Sequence, residues 1–69
     1  MERILLVEDD AAIVESLSQL LRQQGFQVSC AFSQAGALAL LSQPFDLMLL
    51  DVSLPDGSGF SVCAAARHT

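Results

Sequence analysis

Three acidic residues have types and spacings that could support metal-dependent chemistry. Glu8 and Asp9 directly follow a largely apolar run at residues 3–7, and Asp51 directly follows a second apolar run at residues 47–50. Runs without polar alternation are typical of strands buried on both faces of a parallel sheet. Open α/β sheets bind ligands in the crevice at the carboxyl ends of such strands, so we expect the three carboxylates to meet there.

Carboxylates gathered in this way predict a bound cation. Neighbouring strands lie only about 4.8 Å apart, and like charges about 4 Å apart repel by about 4 kcal/mol at the dielectric of a protein surface. Three such charges require a shared proton or a cation. We predict a divalent metal site formed by Glu8, Asp9 and Asp51, with one carboxylate left for chemistry. Oxygen ligands without His or Cys favour Mg²⁺ or Mn²⁺ over zinc.

The loop that follows the first strand is unlike a dinucleotide-binding loop. Such a loop uses glycines to bring backbone amides close to a pyrophosphate, whereas residues 7–11 contain no glycine and carry negative charge. This loop therefore selects a cation, and any phosphate is expected to arrive through that cation.

Alternating strand and helix signals explain how the acids reach one edge of a sheet. Strands are predicted over residues 3–7, 26–30 and 46–50, the second more exposed than the first. Helices between and after them, joined by short connections, give a parallel sheet with right-handed crossovers. A turn at residues 54–57 leads into the third helix, which is expected to continue to Thr69.

The helical segments carry recognisable ends and apolar positions. Asp9 or Asp10 offers the first N-cap, Gly25 a left-handed end, and Ser33 the second N-cap. Residues expected to be buried are Ile13, Leu17, Leu20 and Leu21 in the first helix, Ala37, Leu38 and Leu41 in the second, and Phe60, Val62 and Cys63 in the third.

Composition limits the possible partners and location. The net charge of −5 disfavours direct binding of nucleic acid. Residues 23–45 carry no charge, but glutamines, serines, glycines and Pro44 make this stretch a poor membrane span. No signal peptide is visible, and Cys30 and Cys63 fit two buried thiols in a reducing compartment, so we expect a cytoplasmic chain without membrane contact.

Two motifs together resemble the N-terminal part of a response-regulator receiver domain of two-component signalling. They are RILLVEDD at residues 3–10 and DLMLLDVSLPDGSGF at residues 46–60. The acid pair, the aspartate that ends the third strand and the Leu-Pro-Asp-Gly turn match in combination. The resemblance implies an α/β, flavodoxin-like parallel sheet, incomplete, with the order β-α-β-α-β-α along the chain and strand order 2-1-3.

The resemblance also implies a role for each site residue. Asp51 would be the phosphoacceptor, taking a phosphoryl group from the phosphohistidine of a sensor histidine kinase. Glu8 and Asp9 would bind Mg²⁺ directly or through water, and Asp51 and the backbone carbonyl of Ser53 would be further ligands. Pro55 and Gly59 would shape the loop into the third helix, and Asp10 would be a helix cap and not a ligand.

The chain also departs from the receiver pattern. A full receiver continues through two more sheet strands, which supply a Ser or Thr and a Lys that contact the phosphoryl group. Neither follows within these 69 residues. We therefore interpret residues 1–69 as a single, truncated receiver domain that is not an enzyme and is not competent for efficient phosphotransfer.

Two other functions fit the same residues. A receiver-like interaction or assembly fragment would not be phosphorylated and would self-associate, as a homodimer or larger, through the exposed edge of the third strand. A metal-dependent phosphatase with an aspartyl nucleophile would commonly have a second acid two residues after the first, where this chain has Ser53.

Overall fold

The computed structural model describes residues 2–67, in which parallel strands alternate with helices. The elements are β1 (Arg3–Val7), α1 (Ala11–Gln23), β2 (Gln27–Ala31), α2 (Gln34–Leu40), β3 (Leu47–Leu50), β4 (Ser53–Leu54), β5 (Gly57–Ser58) and α3 (Gly59–Arg67). The predicted α/β class and element order are confirmed. The short antiparallel hairpin β4–β5 was not predicted, and the expected continuation of α3 to Thr69 lies outside the described residues.

The three long strands form a parallel sheet in the order β2-β1-β3, which confirms the predicted strand order 2-1-3. Val7, the last residue of β1, lies level with Ala31 in β2 and with Leu50 in β3. The three strands therefore end at one edge of the sheet. The residues that follow β1 and β3, Glu8 and Asp51, leave the sheet side by side.

The core lies mainly on one side of the sheet, under α2 and α3. Because strand side chains alternate, Leu5 and Val7 face this side while Ile4 and Leu6 face the other. All four are buried, as predicted for a strand covered on both faces. The main cluster of buried apolar residues comprises Leu5, Val7, Ala31, Ala37, Leu54 and Val62.

The predicted buried face of α1 is partly wrong. Ile13 is 47% exposed and Leu20 is 53% exposed, while Val14 and Ser18 are the buried residues of this helix. The helix α1 packs against β2. The apolar face of α1 is wider than this contact, so the apolar residues at its margins stay exposed. Leu17 is half-buried at the margin of the contact.

Three further burial predictions need correction. Leu38 is 38% exposed, although its neighbour Ala37 is buried. Phe60 is 70% exposed, while Val62 fills the core. Leu47 in β3 is 51% exposed, and the rest of that strand is half-buried. The prediction of full burial fails for β3 because, within residues 2–67, β1 is the only strand that pairs with it.

The ends of α1 and the start of α2 follow the sequence signals closely. Asp10, not Asp9, caps α1: its Oδ1 accepts hydrogen bonds from the amides of Ala12 at 2.9 Å and Ile13 at 3.2 Å. Gly25 follows α1 with φ of 94°, as expected for a left-handed helix end. Ser33 caps α2 by accepting a hydrogen bond from the amide of Gly36.

Among the helices within residues 2–67, none is both long and apolar enough to cross a membrane.

The Asp10 cap can be tested by its effect on stability. Asp10→Ala removes the acceptor for two helix amides and should lower the free energy of unfolding by about 1 kcal/mol. Asp10→Ser keeps a capping oxygen and should lose much less. Urea unfolding followed by circular dichroism measures both, and equal stability of the alanine and serine variants would contradict the assignment.

Candidate metal centre

Glu8, Asp9 and Asp51 meet at the carboxyl end of the sheet. Each contributes one carboxylate oxygen to a group whose members all lie within 4.8 Å of one another. The strand register produces this arrangement, since the amide of Asp51 donates to Val7 O at 2.9 Å and the amide of Glu8 donates to Ala31 O at 3.1 Å. The structure therefore brings together the three acids that the sequence placed at one site.

The three carboxylates differ in exposure. Glu8 and Asp51 are half-buried, while Asp9 is exposed. The amide of Asp10 donates to Glu8 Oε1 at 3.2 Å, and the amide of Ser53 donates to Asp51 Oδ1 at 3.4 Å. Each half-buried acid is thus oriented by the backbone two residues further along the chain.

The surroundings of Glu8 disfavour its negative charge. The amide of Asp10 favours its charged form, but partial desolvation, a hydrogen bond with Asp9 and repulsion from Asp51 together outweigh this and raise the pKa of Glu8 above its ordinary value. Protonation of Glu8, or a cation bound beside it, would reduce this unfavourable interaction.

The donor set fits a hard divalent cation. It consists of close carboxylate oxygens that repel one another, which suits Mg²⁺ or Mn²⁺. Arg3 contacts Gln43 and the ring of Phe45, and Arg22 donates to the carbonyl of Val28, so the side chains of these two arginines are engaged away from the cluster. Glu8, Asp9 and Asp51 would hold the ion.

Ser53 lies beside the cluster at the start of β4 and is exposed. The amide of Ser53 contacts Asp51. That the backbone carbonyl of Ser53 is a metal ligand stays a prediction.

Gly59 begins α3, and a side chain there would collide with the backbone carbonyl of Asp51. Glycine thus allows α3 to approach the cluster closely, consistent with its predicted place in this loop.

Sequence reasoning missed two residues that connect this loop to α2. Asp56 was read only as part of a turn, but Oδ1 accepts from the amide of Gln34 at 2.6 Å and Oδ2 accepts from Ala35 at 2.9 Å. These amides, Ala35 first, hold the pKa of Asp56 below its ordinary value. Gln34 Oε1 accepts in turn from the amide of Ser58 at 3.0 Å. No local signal could reveal contacts across 22 and 24 positions.

The chain is similar in sequence to known signalling proteins. The family model described as the response regulator receiver domain matches residues 4–69. Over 69 residues, the chain is 42% identical to the transcriptional regulatory protein CpxR of Escherichia coli (strain K12). The match covers 100% of this chain and 30% of CpxR, so the chain spans less than a third of that curated relative.

Solved structures show the same fold. A CheY-like receiver domain protein from Methanospirillum hungatei JF-1 is similar with a TM-score of 0.94 and 36% identity, covering 99% of this chain and 55% of that one. The response regulator TrrA of Thermotoga maritima, in complex with Mg²⁺-BeF, has a TM-score of 0.91 and 35% identity, covering 99% and 60%. TrrA in complex with the histidine kinase ThkA gives a TM-score of 0.89 and 34% identity, covering 100% and 60%.

Glu8→Gln should stabilise the metal-free protein at neutral pH. A carboxyl group whose pKa is raised by folding penalises the folded state once it is ionised. The penalty is complete above the raised pKa and vanishes below the ordinary value of 4.5, where Glu8 is protonated in both states. The variant should therefore melt at a higher temperature near pH 7 in a chelator, with the gain disappearing as the pH falls toward that value.

Glu15→Gln provides the control, since Glu15 is exposed on α1 and outside the cluster. It makes the same change in charge and should show little of this pH-dependent gain. Calorimetry at several pH values measures all three proteins. A lower melting temperature for Glu8→Gln at neutral pH would contradict the account of repulsion in the cluster.

Proposed function

Because the chain belongs to the response regulator receiver domain family, we propose that Asp51 is a phosphoacceptor served by a sensor histidine kinase. The observation that carries the proposal is the meeting of Asp51 with Glu8 and Asp9, whose carboxylate oxygens lie within 4.8 Å. Carboxylates placed in this way could hold a divalent ion beside an Asp51 oxygen that accepts a phosphoryl group.

The proposed reaction moves a phosphoryl group between two side chains. A carboxylate oxygen of Asp51 attacks phosphorus in line, an O–P bond forms, and the P–N bond to the kinase imidazole breaks. Glu8 and Asp9, with Asp51 and the backbone carbonyl of Ser53, would hold Mg²⁺ or Mn²⁺. The ion supplies positive charge that offsets the charge on the phosphoryl oxygens. The chain accepts the group and is not an enzyme in its own right.

Two of the similar structures support the ion and the partner. The TrrA structure contains Mg²⁺-BeF, and a second contains TrrA with the histidine kinase ThkA. The name of CpxR supports a role in the control of transcription. We propose a cytoplasmic location, with no membrane contact and no nucleic acid bound directly by this acidic segment of net charge −5.

The 69 residues alone are proposed to transfer phosphate inefficiently. The Ser or Thr and the Lys that a full receiver offers to the phosphoryl group are not supplied by residues 1–69. Donors directed at developing oxyanion charge contribute about 3 kcal/mol each to transition-state stabilisation. Two missing donors would therefore slow transfer by several orders of magnitude.

The phosphoacceptor can be tested in a chimera in which this sequence replaces the matching 69 residues of CpxR. The chimera should gain one phosphoryl group from acetyl phosphate with Mg²⁺, detected by mass spectrometry. Asp51→Asn should abolish the gain, while the exposed Glu15→Gln should not. The 69-residue chain alone should react far more slowly. Equal labelling of the chimera with and without Asp51 would contradict the proposal.

A second candidate is self-association through β3. In the described part of the chain, β1 is the only strand paired with β3, and the exposed Leu47 and Val52 lie within and just beyond β3. An apolar edge strand with free backbone groups favours pairing with another chain. On this view the fold acts as an assembly module and no phosphoryl transfer occurs.

Sedimentation velocity distinguishes this candidate. If β3 mediates assembly, the sedimentation coefficient should rise with protein concentration, and Leu47→Lys should return the chain to the monomer, because a charged side chain disfavours edge pairing. A monomer at all concentrations would exclude it. So would association that the Leu47→Lys variant leaves unchanged.

A further inference from the structure

The β4–β5 hairpin is attached to the start of α2 by side chains from both partners. Asp56 lies in the hairpin turn, and its two carboxylate oxygens accept from the amides of Gln34 and Ala35. Gln34 reaches back, and its Oε1 accepts from the amide of Ser58 in β5 at 3.0 Å. Gly57 leaves room for this contact, because a Cβ there would collide with the Gln34 carboxamide. The attachment thus depends on residues 34–35 and 56–58, none of which belongs to the acidic cluster.

The other strand of the hairpin leads directly to Asp51. Ser53 in β4 pairs with Ser58 in β5, and the amide of Ser53 donates to Asp51 Oδ1 at 3.4 Å. Leu54, the second residue of β4, is buried in the core at 7% exposure. A continuous set of contacts therefore runs from Gln34 through the hairpin to the Asp51 carboxylate.

Glu8, a second acid of the cluster, is held near the same part of the fold. The amide of Glu8 donates to the carbonyl of Ala31, the last residue of β2. Ala31 is buried, and α2 begins three residues later at Gln34. The positions of Glu8 and Asp51 are thus both fixed relative to the segment that joins β2 to α2.

We propose that Gln34 and Asp56 are positioning residues, which hold the β4–β5 hairpin so that the Asp51 carboxylate faces Glu8 and Asp9 in the geometry that binds a divalent cation. The inference rests on the proposed function in that it takes the cluster to be a cation site. Neither residue belongs to the cluster that would hold the ion. Their effect is to order the loop before binding, so that cation binding does not have to supply the cost of that ordering.

Affinity for Mn²⁺, measured by electron paramagnetic resonance of the free ion, tests the proposal without any phosphoryl donor. Residues that orient metal ligands commonly affect metal affinity by about 10- to 100-fold. Gln34→Ala and Asp56→Asn should each weaken Mn²⁺ binding by about 10-fold, the lower end of that range. The matched controls on exposed positions of α1, Gln19→Ala and Glu15→Gln, should bind like the wild type.

A double-mutant cycle separates positioning from general destabilisation. Gly57 has no positive φ, so alanine is compatible with its backbone. Gly57→Ala should displace the Gln34 carboxamide and weaken Mn²⁺ binding as Gln34→Ala does. Combined with Gln34→Ala it should cause little further loss, because the group it displaces is already absent. In the metal-free protein, both variants should also shift the amide resonances of Ser58 and Ser53.

The outcomes are distinct. Weaker binding by folded Gln34→Ala and Asp56→Asn, with a non-additive cycle, supports the proposal. If these variants bind Mn²⁺ like the wild type while Asp51→Asn weakens binding, the positioning role is wrong and the cation site stands. If Asp51→Asn also leaves binding unchanged, the cation site and this inference both fail. Affinity that falls only in step with loss of the folded signal in circular dichroism also overturns the positioning role.

Discussion

Mutual repulsion of three carboxylates is the constraint on which the site depends. The sheet brings Glu8, Asp9 and Asp51 so close that one oxygen from each lies within 4.8 Å of the others. At Glu8, partial desolvation, the hydrogen bond with Asp9 and repulsion from Asp51 together raise the pKa above its ordinary value. A divalent cation would convert this repulsion into attraction, so an arrangement that is unfavourable for the carboxylates alone would favour the binding of an ion.

The rest of the fold can be understood as the support that keeps these charges together. β1 is the central strand and its apolar residues are buried, so the end of β1 holds the backbone of Glu8 in a fixed position. The register of β1 with β3 sets Asp51 beside it. Gly59 lets α3 begin directly against the backbone of Asp51, and the β4–β5 hairpin connects that loop to α2. Burial supplies the stability that holds charges which would otherwise separate.

Much of this followed from local pattern. The apolar runs and the acids after them predicted the strands and their common edge, because parallel strands between short connections end on the same side. Asp10, Ser33 and Gly25 predicted helix ends through capping chemistry that involves only neighbouring residues. The same reasoning identified the cluster, since its position depends on strand ends and not on side-chain packing.

Burial and long-range contacts could not be predicted in this way. Ile13 and Leu20 fit a helical stripe, but whether a stripe is covered depends on which strands lie beneath it, and α1 packs against β2. Full burial of β3 failed for a related reason, since its place at the edge follows from topology. Asp56 binds amides 22 and 21 positions away, a contact that a turn motif does not encode.

Nuclear magnetic resonance of the carboxyl carbons during a Mg²⁺ titration tests the central claim most directly. The account predicts that the side-chain signals of Glu8, Asp9 and Asp51 shift together and give one dissociation constant, while those of Asp46 and Glu15 stay nearly unchanged. Shifts of similar size at all five acids, or separate dissociation constants for the three members of the cluster, would show that they do not share an ion.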